Sequence, residues 1–415
     1  MGKESGLNAG RHSRLGISPS FVIVMTTFID MVGFGMIIPL LPFHPETVDA
    51  GALALGILIG SFALMQFIFS PILGRVSDKV GRRPVILLSV FSSAVSFIVF
   101  AVADSFIMLL LSRIAAGMAT EEGVAQAYIA DITDEGDRTS GLGKVGAAHG
   151  AGFIVGPAIG GFLSIYGFSA AGFVAAGLTV VNFLFVLFFL PESNAPNGVR
   201  KEFAGSESYL GRLVTVLKKP LIGTVFVIIF ITAFAFSAIP VLLPLLGKSF
   251  FGFEEVQMSY VFMYIGVVQI VLQGFLIGRL SKKLGDKKMI VISSFFMTVG
   301  VFCMSLFVNV VTFLLSITLF SSGVGILGTV LPSFISKRTP ADEQGGILGI
   351  AQSVGSVARI PGPLIAGFIA DLAGLNTSFL FSTFVVFIAF CLGFKVFQGN
   401  NFRHQPEKAV VQTTK

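Results

Sequence analysis

Long apolar runs separated by short polar loops constrain this chain more than any other feature of its sequence. A helix needs about 20 apolar residues to cross the roughly 30 Å hydrocarbon core of a bilayer. Runs of that length follow one another from residue 20 to residue 397. Only 12% of the 415 residues are charged, about half the share found in a typical soluble domain. The pattern predicts an all-α integral membrane protein and leaves no room for a separate soluble domain.

The apolar runs predict twelve transmembrane helices, six in each half of the chain. In the first half the predicted spans are 20–41, 54–76, 85–103, 106–127, 141–165 and 168–190. In the second half they are 221–246, 255–278, 288–308, 310–335, 344–370 and 376–397. The domains that follow are a cytoplasmic arm (1–19), a six-helix bundle (20–190), a cytoplasmic central loop (191–220), a second six-helix bundle (221–397) and a cytoplasmic tail (398–415). The arm is basic and lacks an apolar stretch, so we interpret it as cytosolic rather than as a signal peptide.

The basic residues predict the orientation of these spans. Nearly every Lys and Arg lies in a tail or in a loop that follows an even-numbered span, whereas the opposite loops contain only Lys248. By the positive-inside rule both termini face the cytoplasm, as expected for a multi-pass protein of the plasma or inner membrane. Because the basic residues are scattered over short loops, the net charge of +6 does not indicate a nucleic-acid partner.

The two halves of the sequence repeat one another in parallel. Residues 74–84, which follow the second span, correspond to residues 278–288, which follow the eighth. With the same offset to within two residues, further pairs align: Gly156 with Gly362, Pro157 with Pro363, and Gly161 with Gly367. Such repeats are typical of secondary transporters, which place one central site between two halves that move about it.

Four motifs in the first half carry a resemblance to a known family. In chain order they are Asp30-x-x-Gly33 leading to Pro39, Gly74-x-x-x-Asp78-x-x-Gly81-Arg82-Arg83, Arg113 with Gly117 and the stretch Gln126 to Asp131, and Gly152-x-x-x-Gly156-Pro157-x-x-Gly160-Gly161. Together they resemble the major facilitator superfamily. Within it, the chain is most similar to the twelve-span drug:proton antiporters of the tetracycline-efflux type.

The resemblance implies a conformational latch at the cytoplasmic face. Its residues would be Gly74, Asp78, Gly81, Arg82, Arg83 and Asp131. Arg82 suits the carboxylate of Asp131, and Asp78 suits the positive end of a neighbouring helix. The second repeat has Lys282 where Asp78 stands, which predicts a latch in the first half alone. The fifth-span motif (Gly152, Gly156, Pro157, Gly160 and Gly161) separates antiporters from uptake carriers in the family, and its small residues also allow close helix contact.

Five ionisable residues are candidates for proton coupling: Asp30, Arg113, Glu121, Glu122 and His149. Asp30 lies about ten residues into the first span, or roughly 15 Å deep, where hydrocarbon favours the neutral carboxyl and a proton could be exchanged as water access alternates. Arg113 is its natural partner if the first and fourth spans adjoin; the pair is otherwise purely structural.

The two glutamates depart from the family pattern, which has small residues at these positions. Adjacent residues on a helix differ by about 100°, so we expect only one of the two to face a cavity. They are alternatively interfacial residues of a shorter span. His149 could relay a proton from a glutamate, or could be a packing histidine.

Eight residues are candidates for the substrate cavity: Phe34, Gln126, Asn182, Phe234, Phe236, Gln269, Gln273 and Arg359. They place aromatic, amide or cationic groups within spans. A mainly apolar cavity with few polar groups suits lipophilic ligands. Arg359 would either neutralise a cavity acid or bind backbone carbonyls.

These features favour a secondary active transporter, specifically a proton-coupled exporter of amphipathic drugs or metabolites. Its partners would be the small-molecule substrate, protons and the lipid bilayer, with the chain acting as a monomer. Proton-coupled uptake of a sugar or organic solute, or a lipid flippase, stays open as an alternative. We find no nucleotide-binding loop, HExxH, CxxC pair or nucleophile elbow, so neither an enzyme nor a cofactor or metal site is expected.

Overall fold

A computed structural model describes residues 17–48, 50–133, 135–193, 220–306, 309–339 and 344–398. Most of the predicted arm, of the central loop and of the tail lies outside these residues. The secondary structure of the described part is entirely helical. It agrees with the predicted fold class, and most of the helix ends lie within about four residues of the predicted ones.

Six helical units form the first half. They are α1 (Pro19–Ile37), α2 (Gly51–Val80), α3 (Arg82–Ala101), α4 in two segments, α4a (Phe106–Met118) and α4b (Glu122–Ile132), α5 (Glu135–Ser164) and α6 (Phe168–Phe189). A 3-10 turn (Leu41–Phe43) and a short helix (Pro45–Val48) lie between α1 and α2.

The second half repeats this order. Its helices are α7 (Pro220–Phe251), α8 (Glu255–Val271, a π turn at Leu272–Leu276, then Ile277–Leu284), α9 (Asp286–Met304), α10 (Val310–Ser336), α11 in two segments, α11a (Gln344–Ala358) and α11b (Pro361–Ala373), and α12 (Leu375–Gln398). Ten stretches of the described chain are long and apolar enough to cross a membrane. The interrupted α4 and α8 are the other two members of the predicted twelve.

Both α4 and α11 are interrupted near their middle, which the sequence analysis did not predict. In α11 the break falls at Arg359 and Ile360, directly before Pro361. Proline has no N–H to continue the helix, and it disfavours helical geometry in the residue before it. In α4 the break covers Ala119 to Glu121. Each break turns ionisable side chains toward the space between the two halves.

Close glycine contacts pack the helices in the same way in both halves. A Cβ atom on Gly156 of α5 would lie 2.5 Å from the Val32 carbonyl oxygen of α1, and one on Gly362 of α11 would lie 2.5 Å from the Phe234 carbonyl oxygen of α7. Because only hydrogen fits in such gaps, the backbones approach closely. Equivalent glycines of the two halves therefore make equivalent contacts between helices.

A second set of glycines joins the two halves. Gly161 of α5 packs on Ser259 of α8, and its counterpart Gly367 of α11 packs on the Ala52 carbonyl of α2. Near these contacts Asp371 of α11b accepts hydrogen bonds from the Ala52 and Leu53 amides, at 2.8 and 2.7 Å. We call this side of the molecule the Asp371 end. The side where α2 meets α3 and α8 meets α9 is the Arg82 end.

Candidate functional site

Three helices of the first half place ionisable groups around one small cavity of about 30 Å³. Asp30 comes from α1, Arg113 and both glutamates from α4, and His149 from α5. Space of this size holds about one or two water molecules. All five residues predicted for proton coupling therefore lie together, although their roles stay a prediction.

Asp30 and Arg113 line this cavity without forming an ion pair in this conformation. The Asp30 carboxylate accepts a hydrogen bond from the Ser93 hydroxyl of α3 at 3.5 Å. The Arg113 guanidinium lies 5.6 Å from the centre of the Phe100 ring, and its Nη2 has no hydrogen-bond partner among the described residues. The predicted direct pairing is wrong for this state because α3 supplies the neighbours of both groups.

Glu121 and Glu122 both face the small cavity. The expectation that only one of them would do so is wrong, because it assumed a continuous helix. The break in α4 leaves Glu121 outside the helix and Glu122 at the first position of α4b. Glu121 is 3% exposed, and its Oε2 has no hydrogen-bond partner within the described part of the chain.

A larger cavity of about 280 Å³ adjoins the small one and lies between the two halves. Glu122, His149, Gln66 and Phe34 line both cavities. His149 and Glu122 share the wall of the larger cavity with Arg359 of the second half. Ionisable groups of the first half are thus in direct contact with the space that could hold a ligand.

The wall of the larger cavity is mainly aromatic and aliphatic. Phe34, Phe236, Gln269, Gln273 and Arg359 line it as predicted. Sequence reasoning missed other lining residues, among them Gln66, Phe62, Phe153 and Phe262. With 45 Phe residues in the chain, side-chain type alone does not single out the ones that face a cavity.

Three residues predicted for the cavity do not line it. Gln126 is exposed one turn beyond Glu122 on α4b, and its Nε2 donates to the Glu122 carboxylate at 3.4 Å. Asn182 of α6 is buried and accepts from the Thr26 hydroxyl at 3.2 Å. Phe234 is buried in the packing of α7 against α11, because a two-residue shift from the cavity-lining Phe236 moves a side chain to the other face of the helix.

The predicted latch residues form a connected cluster at the Arg82 end. Arg82 pairs with Asp78 at 2.7 Å and with Asp131 of α4b at 3.0 Å. Its Nη1 also donates to the Ser77 hydroxyl at 2.5 Å and to the Gly74 carbonyl at 3.5 Å. The guanidinium is therefore surrounded by acceptors, and its side chain is 3% exposed.

The turn from α2 to α3 is held by Glu192, a residue that the sequence analysis did not single out. The carboxylate accepts from the backbone amides of Arg82 and Arg83, at 2.8 and 3.1 Å. It sits against Gly81, whose φ of +113° favours glycine. Arg83 donates to the Leu187 carbonyl at 2.5 Å. The residues after α6 thereby close over the start of α3.

The second half has an ion pair at the equivalent place with the charges exchanged. Asp286, at the start of α9, pairs with Lys337 after α10 at 2.8 Å and accepts from the Ser281 hydroxyl at 3.0 Å. These residues correspond to Arg82, Asp131 and Ser77. Lys282 at the position of Asp78 predicted a latch in the first half alone, and the second half nevertheless has an ion pair one turn further along, at Asp286.

Two six-helix halves around an apolar cavity with ionisable groups on its wall define a multi-pass membrane transporter. The sequence matches the model of the Major Facilitator Superfamily over residues 23–363 and 269–414. The chain belongs to the Major Facilitator Superfamily.

Comparison with individual proteins agrees with this assignment. The chain is 30% identical to the class B tetracycline resistance protein of Escherichia coli, over 84% of this chain and 87% of that one. It is 28% identical to multidrug resistance protein 2 of Bacillus subtilis (strain 168), over 89% of this chain and 92% of that one. The fold resembles the crystal structure of a human organic anion transporter, with a TM-score of 0.67 and 24% identity over 90% of this chain and 98% of that one.

Proposed function

We propose that this protein exports amphipathic small molecules, drugs among them, in exchange for protons. The observation that carries the proposal is the shared wall of the two cavities. Glu122 and His149 face both the small cavity with Asp30 and the larger apolar cavity. A change in protonation in the first half therefore acts at the surface that a ligand touches. The named resistance functions of the two relatives support export as the direction of transport.

Alternating access couples proton uptake to substrate export. In the present conformation the halves are joined at the Asp371 end by α2 with α11 and α5 with α8. We assign the Arg82 end to the cytoplasm, because the Lys and Arg residues of the loops lie there. Both termini then lie in the cytoplasm, and the cavity takes its substrate from that side of the plasma membrane. One chain contains both halves, so a monomer suffices.

The proton-coupling roles follow from placement. Asp30 is the coupling carboxylate, because it lies inside the bundle and binds a neutral hydroxyl, Ser93, rather than a permanent cation. Arg113 stays charged, and Glu121 and Glu122 form an acidic pair that lines the same small cavity. Protonation of Asp30 changes the net charge of this cluster by one, which alters the electrostatic attraction of the adjacent cavity for a charged ligand.

The test is export of the ethyl ester of a xanthene dye, a fluorescent lipophilic cation, from proteoliposomes with an imposed pH gradient. We expect gradient-driven export by the native protein and its loss in Asp30→Asn. The matched control is Asp104→Asn, which removes an exposed carboxylate between α3 and α4a. Export that persists in Asp30→Asn would place coupling elsewhere. No dye movement by folded native protein would contradict export and direct the search to lipids or uptake solutes.

A further inference from the structure

The wall of the larger cavity carries opposite charges on its two sides. The first half contributes Glu122 and His149, and the second half contributes Arg359 with the amides Gln269 and Gln273. Aromatic and aliphatic side chains, such as Phe153 and Phe262, line the space as well. A ligand that spans the cavity therefore meets an acceptor on one side and a cation on the other.

Arg359 is directed to this space by the break in α11. The guanidinium has no carboxylate within ion-pair distance among the described residues, since the ion pairs found there involve Asp78, Asp131 and Asp286. An unpaired cation on a membrane-spanning helix is costly, and such residues usually mark a path or site for a charged ligand.

The glutamines add to the binding capacity of the same side. Gln269 and Gln273 are four residues apart on one face of α8, and a π turn begins between them at Leu272. π turns inside helices often occur at functional sites. The Gln269 Nε2 atom is buried, and none of the described residues accepts a hydrogen bond from it. An amide donor beside a guanidinium suits a carboxylate or another anionic acceptor.

The repeat shows that the cation is peculiar to the second half. With the offset of 206 residues that relates Gly156 of α5 to Gly362 of α11, Arg359 corresponds to Phe153. Both residues line the cavity. At this position the second half presents a guanidinium to the ligand where the first half presents an aromatic ring.

We infer that Arg359 determines the charge class of the substrate, and that the cavity prefers amphipathic zwitterions, whose basic group faces Glu122 and whose acidic group faces Arg359. This inference rests on the proposed function, since it names the substrate class of the same cavity. A purely cationic ligand leaves Arg359 unneutralised and places a second positive charge near it. A zwitterion of the same skeleton neutralises both sides, which makes charge the basis of selection.

The experiment compares the binding of two forms of one xanthene dye to purified protein by fluorescence anisotropy. The free acid is a zwitterion and its ethyl ester is a cation, so the pair differs only at the carboxylate. In the native protein we expect the free acid to bind about tenfold more tightly, the scale of one charge-assisted hydrogen bond. Arg359→Gln removes this preference because it weakens the binding of the free acid and leaves the binding of the ester unchanged. Arg359→Lys retains part of the preference.

The control is Arg338→Gln, which removes an arginine whose guanidinium stacks on Phe334 at 3.6 Å outside the cavity. It leaves the preference unchanged. Equal affinity for the two dyes in the native protein, no binding of either dye, or an equal loss of both in a folded Arg359→Gln protein would overturn the inference. The proposed export function is judged separately by gradient-driven transport of the ester, so the two ideas fail in different experiments.

Discussion

The two halves of this transporter share a helix order and differ in where they place their charges. The first half buries its ion pair at the Arg82 end, where the Arg82 side chain is 3% exposed, and surrounds its small cavity with ionisable groups. The second half leaves Lys337 of the equivalent pair 57% exposed and contributes Arg359 to the larger cavity. Under the proposed function, proton exchange belongs to the first half, and the acidic group of the ligand is recognised by Arg359 of the second.

The largest expected effect separates the two ion pairs. Arg82→Gln removes the buried cation from Asp131, which is 14% exposed, and from the more exposed Asp78. It should lower the free energy of unfolding by about 1.5–3 kcal/mol. Lys337→Gln removes an exposed partner and should cost less than about 1 kcal/mol. Thermal unfolding in detergent measures both. Equal losses of stability in the two variants would contradict the contrast between a buried and an exposed ion pair.

A second prediction concerns the equivalent glycines between the halves. A methyl group at Gly367 meets the backbone carbonyl of Ala52, and one at Gly161 meets the Cβ atom of Ser259, which side-chain rotation does not move. Gly367→Ala and Gly161→Ala should therefore each cost about 1–3 kcal/mol of stability. Gly328→Ala, which meets nothing within 4 Å, serves as the control. A loss at either position no larger than that of the control would contradict the close contact between the halves there.

Asp371 is the carboxylate that ties α11 to the start of α2 across the halves. Because a carboxylate at a helix N-terminus contributes about 0.3–1 kcal/mol, Asp371→Asn should raise the population open at this end by about two- to fivefold. Distances between spin labels at Ala50 and Asn376, with both native cysteines replaced, report the change. Asp104→Asn is the control at the same end. An unchanged distance distribution would show that Asp371 does not help to hold the two halves together at this end.

The last prediction is a pH dependence of stability that arises in the loop between α1 and α2. His44 is buried between the rings of Phe100 and Phe168, and burial lowers its pKa below the ordinary 6.5. The unfolded chain then takes up the proton first, so stability is lost as pH falls below 6.5. The loss is at most about 1.4 kcal/mol per pH unit. His44→Gln should reduce the loss of stability below pH 6.5. An unaltered pH dependence would show that other groups cause this loss.

The fold could be predicted from the sequence because the apolar runs and their repeat are properties of whole helices. The Arg82–Asp131 contact and the grouping of Asp30 with Arg113, Glu121, Glu122 and His149 also followed from motifs and depth. The breaks in α4 and α11 did not, and they decide that both glutamates and Arg359 face a cavity. A helical rotation of about 100° per residue also separates Phe234 from Phe236, which residue type alone does not distinguish.

Competition between substrate and proton for the ionisable groups of the first half can be measured directly. The cationic dye ester is added to purified protein in weakly buffered solution, and a pH indicator records protons released while anisotropy records binding. The native protein should release protons on binding, and Asp30→Asn should bind the ester without release. Binding of the ester to the native protein with no proton release at any pH from about 5 to 8, the range in which such groups exchange protons, would contradict it.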